Sequence, residues 1–188
     1  MSTATPNIRR VYITGGPGAG KSTLAKTLAE STGFQVYELD ALLWTRSSTG
    51  ERISRRDRIE IVSDIASKPT WIADGIYVGW AQEIWRNSDL VIFMDISLKL
   101  TLWRVFWRHL KAEIRRNNRH PGWLNLYRFM RIIVRDHRSQ EIGNIDDTED
   151  KILTYAKIAA KVRQQDHKVL RVGGSPDIEK ILDVINSK

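Results

Sequence analysis

The chain contains no cysteine. Disulfides, a thiol nucleophile and a Cys-ligated zinc site are excluded by that alone. Nor does it hold an uninterrupted apolar run of the ~18 residues that a membrane helix needs. Residues 1–10 lack the apolar stretch of a secretory signal. A cytoplasmic protein without a membrane span is the expectation. Internal repeats and low-complexity linkers are absent, and the 188 residues suit one domain, 1–188, with one core. No N-K-x-D element follows an apolar run, so a guanine-reading GTPase is not indicated. The histidines His109, His120, His137 and His167 show no metal-ligand spacing.

What is present is unevenly distributed. Residues 99–138 carry eleven Lys/Arg against two acids, a net +9, while the formal charge of the whole chain is +8. The basicity therefore belongs to one segment, which either is a solvated face or meets something anionic.

Along the chain, short apolar runs alternate with longer amphipathic ones. Strands are predicted at Val11–Thr14, Phe34–Leu39, Trp71–Ala73, Leu90–Met94 and Val169–Val172. Helices are predicted at Lys21–Ser31, Ile53–Ala66, Leu98–Arg116, Trp123–Arg138, Thr148–Gln164 and Asp177–Ile185. Strands apolar on both faces that alternate with helices imply a parallel sheet covered on both sides. The expected class is α/β, a three-layer P-loop fold with a five-stranded parallel sheet, helices on both faces and a short helical lid.

Residues Gly15-Gly16-Pro17-Gly18-Ala19-Gly20-Lys21-Ser22 fit G-x-x-x-x-G-K-[ST]. Glycines allow backbone N–H groups to converge without Cβ clashes, and the following helix N-terminus adds its dipole. Lys21 supplies a point charge and the Ser22 hydroxyl a ligand for Mg²⁺; Thr23 can also reach a phosphate. The motif lies between a predicted strand and a predicted helix, the context that confirms it. Three further strands end in carboxylates: Asp40, Asp74 and Asp95. Ligands of open α/β sheets sit at that edge.

The glycine loop, "YELDALLW" (37–44), "WIADGIY" (71–77), "SDLVIFMDISLKLTLWRVFWR" (88–108) and "VGGSP" (172–176) together resemble the adenylate-kinase-like small-molecule kinases. They are most similar to the branch of DNA topology modulation proteins, over nearly the whole chain. The resemblance implies ATP and Mg²⁺, with Gly15, Gly16, Gly18, Ala19, Gly20, Lys21, Ser22 and Thr23 around the phosphates. It implies Ser22 and Asp74 at the metal, supported by Asp95. Arg104 would pack on adenine, Arg108 would face phosphates, and the Gly173-Gly174 turn would pass the base. A lid at 114–122 would bring Arg115, Arg116 and Arg119 onto the transferring phosphate.

The acceptor side, expected within 40–70, departs from adenylate kinases. Ile76-Tyr77 follow the Asp-Gly pair in place of Phe-Pro-Arg, so Arg86, or Arg55 or Arg56, would have to grip an anionic acceptor. Asp40 suits an acceptor hydroxyl better, as orienting group or general base. The expected reaction is ATP-dependent phosphoryl transfer to a nucleoside, nucleotide or other small hydroxyl compound, by a monomer or dimer, with Asp40, Asp74, Tyr77 and Arg86 near the acceptor. The alternative is an ATP-binding, nucleic-acid-associated protein with little kinase activity. Trp103, Trp107 and Trp123 interleave the basic segment as such a binder requires. Trp103 and Trp107 are nevertheless expected to pack against the body, being four residues apart on one helix face. A membrane-surface helix at 123–138 is a lesser alternative.

Overall fold

A computed structural model describes residues 8–43, 53–116, 118, 121–145 and 154–186. The strands are β1 (Arg10–Gly15), β2 (Val36–Glu38), β3 (Trp71–Gly75), β4 (Leu90–Met94) and β5 (Val169–Val172). All neighbours pair in parallel, in the order β2-β3-β1-β4-β5. The helices are α1 (Lys21–Thr32), α2 (Arg55–Ser67), α3 (Gln82–Asn87), α4 (Leu98–Ile114), α5 (Trp123–Arg138), α6 (Tyr155–Gln164) and α7 (Ile178–Asn186).

The period of two in the strands divides the core between the two faces of the sheet. Tyr12, Trp71, Ala73, Val91 and Phe93 point to one face and meet Val62, Ile65, Ile84, Trp85, Ile158 and Val162 from α2, α3 and α6. Val11, Ile13, Ile72, Ile92 and Met94 point to the other and meet Leu24, Leu28, Ile181 and Ile185 from α1 and α7. Helices on both faces make three layers, as the alternating pattern implies. Inside the core, Tyr12 Oη and Trp85 Nε1 both donate to the Tyr77 carbonyl, at 3.1 and 3.0 Å, whereas Trp71 Nε1 has no partner among the described residues.

Helix ends follow local chemistry. Gly33, at φ 73°, closes α1 with its N–H on Ala29 O. Ser54, Ser97 and Thr154 cap α2, α4 and α6 by accepting backbone N–H groups. The predicted second strand shrinks to Val36–Glu38, because a 3₁₀ turn takes over from Leu39 to Leu43. The short helix α3 was not separately delimited from sequence; six residues carry too little periodicity to announce it. The first part of the helix predicted over Thr148–Gln164, residues 148–153, lies outside the described residues, as do Trp44, Arg119 and His120.

One packing expectation is corrected. Trp103 and Trp107 do not pack against the body: they are 57% and 39% exposed, and meet each other edge-to-face at 5.2 Å. On α5 only Leu126 and Ile133 are buried, against Val105 of α4, while Trp123 and Tyr127 stay exposed. No described helix is long and apolar enough to cross a membrane.

Candidate active site

The register of the sheet brings its carboxyl edge to one level: Ile13 pairs with Asp74, Thr14 with Gly75 and Gly15 with Met94. At that edge β1 gives way to the glycine loop. Gly15 (φ 148°) passes so close to β4 that a Cβ there would lie 2.7 Å from the Met94 carbonyl oxygen. Gly18 (φ 76°) approaches α4, where a Cβ would lie 2.7 Å from Val105 Cγ2. Both have a positive φ and are pressed against a neighbour, a combination that only glycine accommodates. The loop feeds α1, whose first turn holds no acidic residue, so its positive end stays available to an anion.

Lys21 is buried, and its Nζ donates to the carbonyls of Gly15 and Gly16, each at 3.0 Å. Burial holds the ammonium below its ordinary range. Asp40 and Asp74 pull it back up, and Arg108 pushes it down. Ser22 Oγ donates to Asp74 Oδ2 at 2.6 Å. The other carboxylate oxygen, Oδ1, is buried and has no hydrogen-bond partner among the described residues. Burial raises the Asp74 pKa. The Ser22 hydroxyl and Lys21 counter that, while Glu38 and Asp40 add to it.

Lys21 and Ser22 line a cavity of about 570 Å³; Asp74 is not in its wall and meets it through Ser22. Its walls are the glycine loop from Pro17 onward with Lys21, Ser22 and Thr23; Asp40; Ile76; Arg104 and Arg108; Phe129; and Pro176 with Ile178. Arg104 Nη1 donates to Ala19 O at 2.7 Å, tying α4 to the loop.

Other expected residues stand apart from it. Asp95 accepts a hydrogen bond from the Tyr155 hydroxyl, on the side of α6, and is not in the wall. Tyr77 is buried against Trp80. Arg86 is held within α3 by Glu83 at 2.8 Å, and Arg55 is exposed at the start of α2; neither lines the cavity. Gly174 does not line it either, though Pro176 from the same turn does. Arg115 and Arg116 follow the last turn of α4, exposed and outside the cavity. Phe129 and Ile178 line the cavity without any role expected of them from sequence. Phe129 carried a signal, for it is a large aromatic standing off the apolar stripe of α5.

A glycine loop between the central strand and the first helix, a lysine drawn into it and a serine–aspartate pair beside it define a P-loop protein, built on the fold of the small-molecule kinases. A family model described as an AAA domain matches residues 10–98. The chain is 28% identical over 105 residues to the uncharacterized protein YqaC of Bacillus subtilis (strain 168), covering 54% of this chain and 59% of that one. It is 28% identical over 107 residues to a shikimate kinase of Rippkaea orientalis (strain PCC 8801 / RF-1), covering 50% and 57%. The chain thus matches under two thirds of the length of these curated relatives. Among solved structures it is similar to a shikimate kinase from Acinetobacter baumannii in complex with shikimate, at TM-score 0.54, 18% identity and coverage of 100% and 98%. It is also similar to a gluconokinase from Sinorhizobium meliloti 1021, at TM-score 0.52, 13% identity and coverage of 96% and 91%.

Proposed function

We propose that the protein transfers the terminal phosphoryl group of ATP to a hydroxyl of a small acceptor. The observation that carries this reading is the meeting of Asp40 with the glycine loop, Lys21, Arg104 and Arg108 around one cavity. One side of that cavity has the chemistry of a triphosphate cradle, and the other offers a carboxylate between apolar walls.

On the donor side, the loop N–H groups and the α1 terminus take phosphate oxygens. Lys21 gives its charge to the terminal phosphates, having only the carbonyls of Gly15 and Gly16 to leave. Arg104 and Arg108 add charge and planar surface at the cavity wall. The residues also fit a divalent cation: Ser22 and Asp74 would hold it, since a buried carboxylate oxygen without a partner, next to a hydroxyl, is a hard-oxygen donor set. When bound, Mg²⁺ neutralises charge on the phosphates. No cluster of three His, Asp or Glu exists among the described residues, so the remaining ligands would come from substrate and water.

On the acceptor side, Asp40 orients the hydroxyl and takes its proton as the acceptor oxygen bonds to phosphorus and the bond to ADP breaks. Ile76 and Phe129 add apolar surface to the same cavity wall. Arg55 and Arg86 stand outside the cavity, so the reading favours a hydroxyl acceptor over one recognised through its own phosphate.

A screen with γ-labelled ATP across nucleosides, nucleotides and small hydroxyl metabolites tests this. A labelled product other than free phosphate is expected, falling on the order of 10³-fold with Lys21→Ala. Label in free phosphate alone, or unchanged turnover by Lys21→Ala, would refute it.

A further inference from the structure

We infer that the outer faces of α4 and α5 together form a docking surface for an anionic phospholipid membrane, on which the protein lies without crossing it. The inner sides of the two helices meet through Leu126 and Ile133 of α5 against Val105 of α4. Their outer sides carry large apolar groups that serve no core. On α4, Trp103, Trp107 and Ile114 stand at i, i+4 and i+11, on one stripe, and all three are exposed, Ile114 by 73%. At the start of α5, Trp123, Leu124 and Tyr127 are 56%, 60% and 58% exposed. The Phe106 ring joins the two groups, its centroid 6.1 Å from that of Trp107 and 6.3 Å from that of Trp123. The apolar surface is therefore continuous across both helices, and an exposed patch of this kind marks an interaction site.

The charge around the patch has one sign. Leu124, Arg128, Arg131 and Arg138 stand at i, i+4, i+7 and i+14, so the cations of α5 continue the face that its first turns present. Lys111 and Arg115 lie beside the stripe of α4. All five cations are exposed. The two helices hold only two acids, and both are engaged. Glu113 accepts from Asn118 and from the Gly122 N–H at the start of α5, at 2.8 Å each. Asp136 pairs with Arg135 at 3.0 Å. The five cations thus have no free carboxylate on either helix to balance them.

Aromatic and aliphatic side chains bordered by Arg and Lys match the boundary between headgroups and acyl chains. The apolar groups enter that boundary, and the cations meet headgroup phosphates and carboxylates. A second copy of the chain is a poorer occupant, because the face opposed to itself sets these cations against one another. A nucleic acid would use the cations and the rings but leave Ile114 and Leu124 in water. A surface with an anionic layer over an apolar one takes all of them.

Co-sedimentation of the full-length protein with mixed phosphatidylserine–phosphatidylcholine vesicles tests the surface without reference to ATP turnover. Binding is expected at low salt, with a blue shift of tryptophan emission. It should weaken steeply as salt screens the charges, and vesicles of phosphatidylcholine alone should capture little. Trp123→Ala is expected to weaken binding about tenfold, through the apolar area withdrawn from the boundary. Arg128→Ala combined with Arg131→Ala is expected to weaken it roughly 30-fold. An unchanged thermal transition shows that each variant keeps the fold. Leu124→Ala, expected to cost about fivefold, serves in place of Trp123→Ala if that variant melts early. The proposal is overturned if the protein stays in the supernatant at low salt, if neutral vesicles capture it equally, or if the variants bind like the parent. It is overturned equally if glycerophosphoserine, the headgroup without its chains, displaces the protein from vesicles. Capture of a single-stranded oligonucleotide and not of vesicles, or an effect of the variants on self-association alone, would also overturn it.

Discussion

Ser22 Oγ donates to Asp74 Oδ2 at 2.6 Å, while Asp74 Oδ1, in the same buried carboxylate, has no hydrogen-bond partner among the described residues. The half-satisfied group joins the first turn of α1 to the end of β3, and it sits where folding and ligand binding make opposite demands. For the ligand-free fold a neutral group is better, because burial and the nearby Glu38 and Asp40 raise its pKa above the ordinary carboxylate value. For a divalent cation the ionised form is required.

Asp74→Asn is therefore expected to raise the melting temperature of the ligand-free protein at neutral pH and to lower Mg²⁺-dependent turnover, by roughly 10–100-fold. The sign follows from linkage. A carboxyl whose folded pKa is raised favours the fold while protonated, and that contribution is lost as pH rises from the ordinary value through the raised one. The stability difference between parent and variant should thus grow across that window, and Mg²⁺ with ATP should stabilise the parent far more than the variant. Thermal melts over a pH series, with and without Mg²⁺ and ATP, check both. Destabilisation of the ligand-free variant at neutral pH would contradict this account of Asp74.

Gly18→Ala tests the close approach of the loop to α4. At φ 76°, with a Cβ 2.7 Å from Val105 Cγ2, alanine meets both backbone strain and a stiff side chain. Left-handed strain of roughly 1–2 kcal/mol, if it falls on the loop, raises the Kd for ATP about tenfold. Val105→Ala added to Gly18→Ala should relieve the steric part and leave the φ part, recovering affinity only partly. Calorimetric titration with ATP separates the two, and full recovery in the double variant would show that the φ requirement is not what binding depends on.

How far the site could be read before folding is visible in these residues. The loop, Lys21, Ser22 and Asp74 are legible because their spacing and strand-end position are local properties of the chain. The extents of β4, β5 and α5 are legible too, since their apolar periods match the observed bounds. What was hidden depends on contacts across the chain. Asp95 ends its strand as expected, yet it is engaged by Tyr155, a pairing of side chains sixty positions apart with no sequence signature. Phe129 enters the cavity, and Arg86 stays out of it, through the angles at which α5 and α3 pack. The exposure of Trp103 and Trp107 reflects how little of α4 its neighbours cover, and a helical period identifies a face without telling what covers it.

Asp40→Asn probes the acceptor side. The substitution preserves shape and removes the basic oxygen. If Asp40 takes the acceptor proton, kcat should fall by roughly 10²–10⁴-fold while the KM for ATP changes little. A rise confined to the acceptor KM would mean that Asp40 binds the acceptor without sharing in proton transfer. Initial-rate kinetics over both substrates decide between them.

Asp89 offers a prediction about the scaffold that positions all of this. Its Oδ2 accepts from the backbone N–H groups of Arg9 and Arg10, at 3.0 and 2.9 Å, and Oδ1 from Arg10 Nη2 at 2.8 Å; its own N–H donates to Arg10 O at 2.8 Å. The carboxylate thereby fastens the start of β4 to the start of β1, the strand that leads into the glycine loop. Burial pushes its pKa up, but the Arg10 guanidinium and the two backbone donors outweigh that and hold it below the ordinary value. A lowered carboxyl contributes stability above its unfolded pKa and loses it as pH falls through the folded one. Asp89→Asn removes charge from several hydrogen bonds at once. It should cost about 2 kcal/mol at neutral pH, or roughly 4–8 °C in Tm for a chain of this size. The gap between parent and variant should close as the pH is lowered below the ordinary carboxylate value and through the depressed folded one, where the parent carboxylate itself takes up a proton. Thermal melts at neutral and acid pH measure it, and a gap that persisted undiminished in acid would show that Asp89 acts through shape and not through charge.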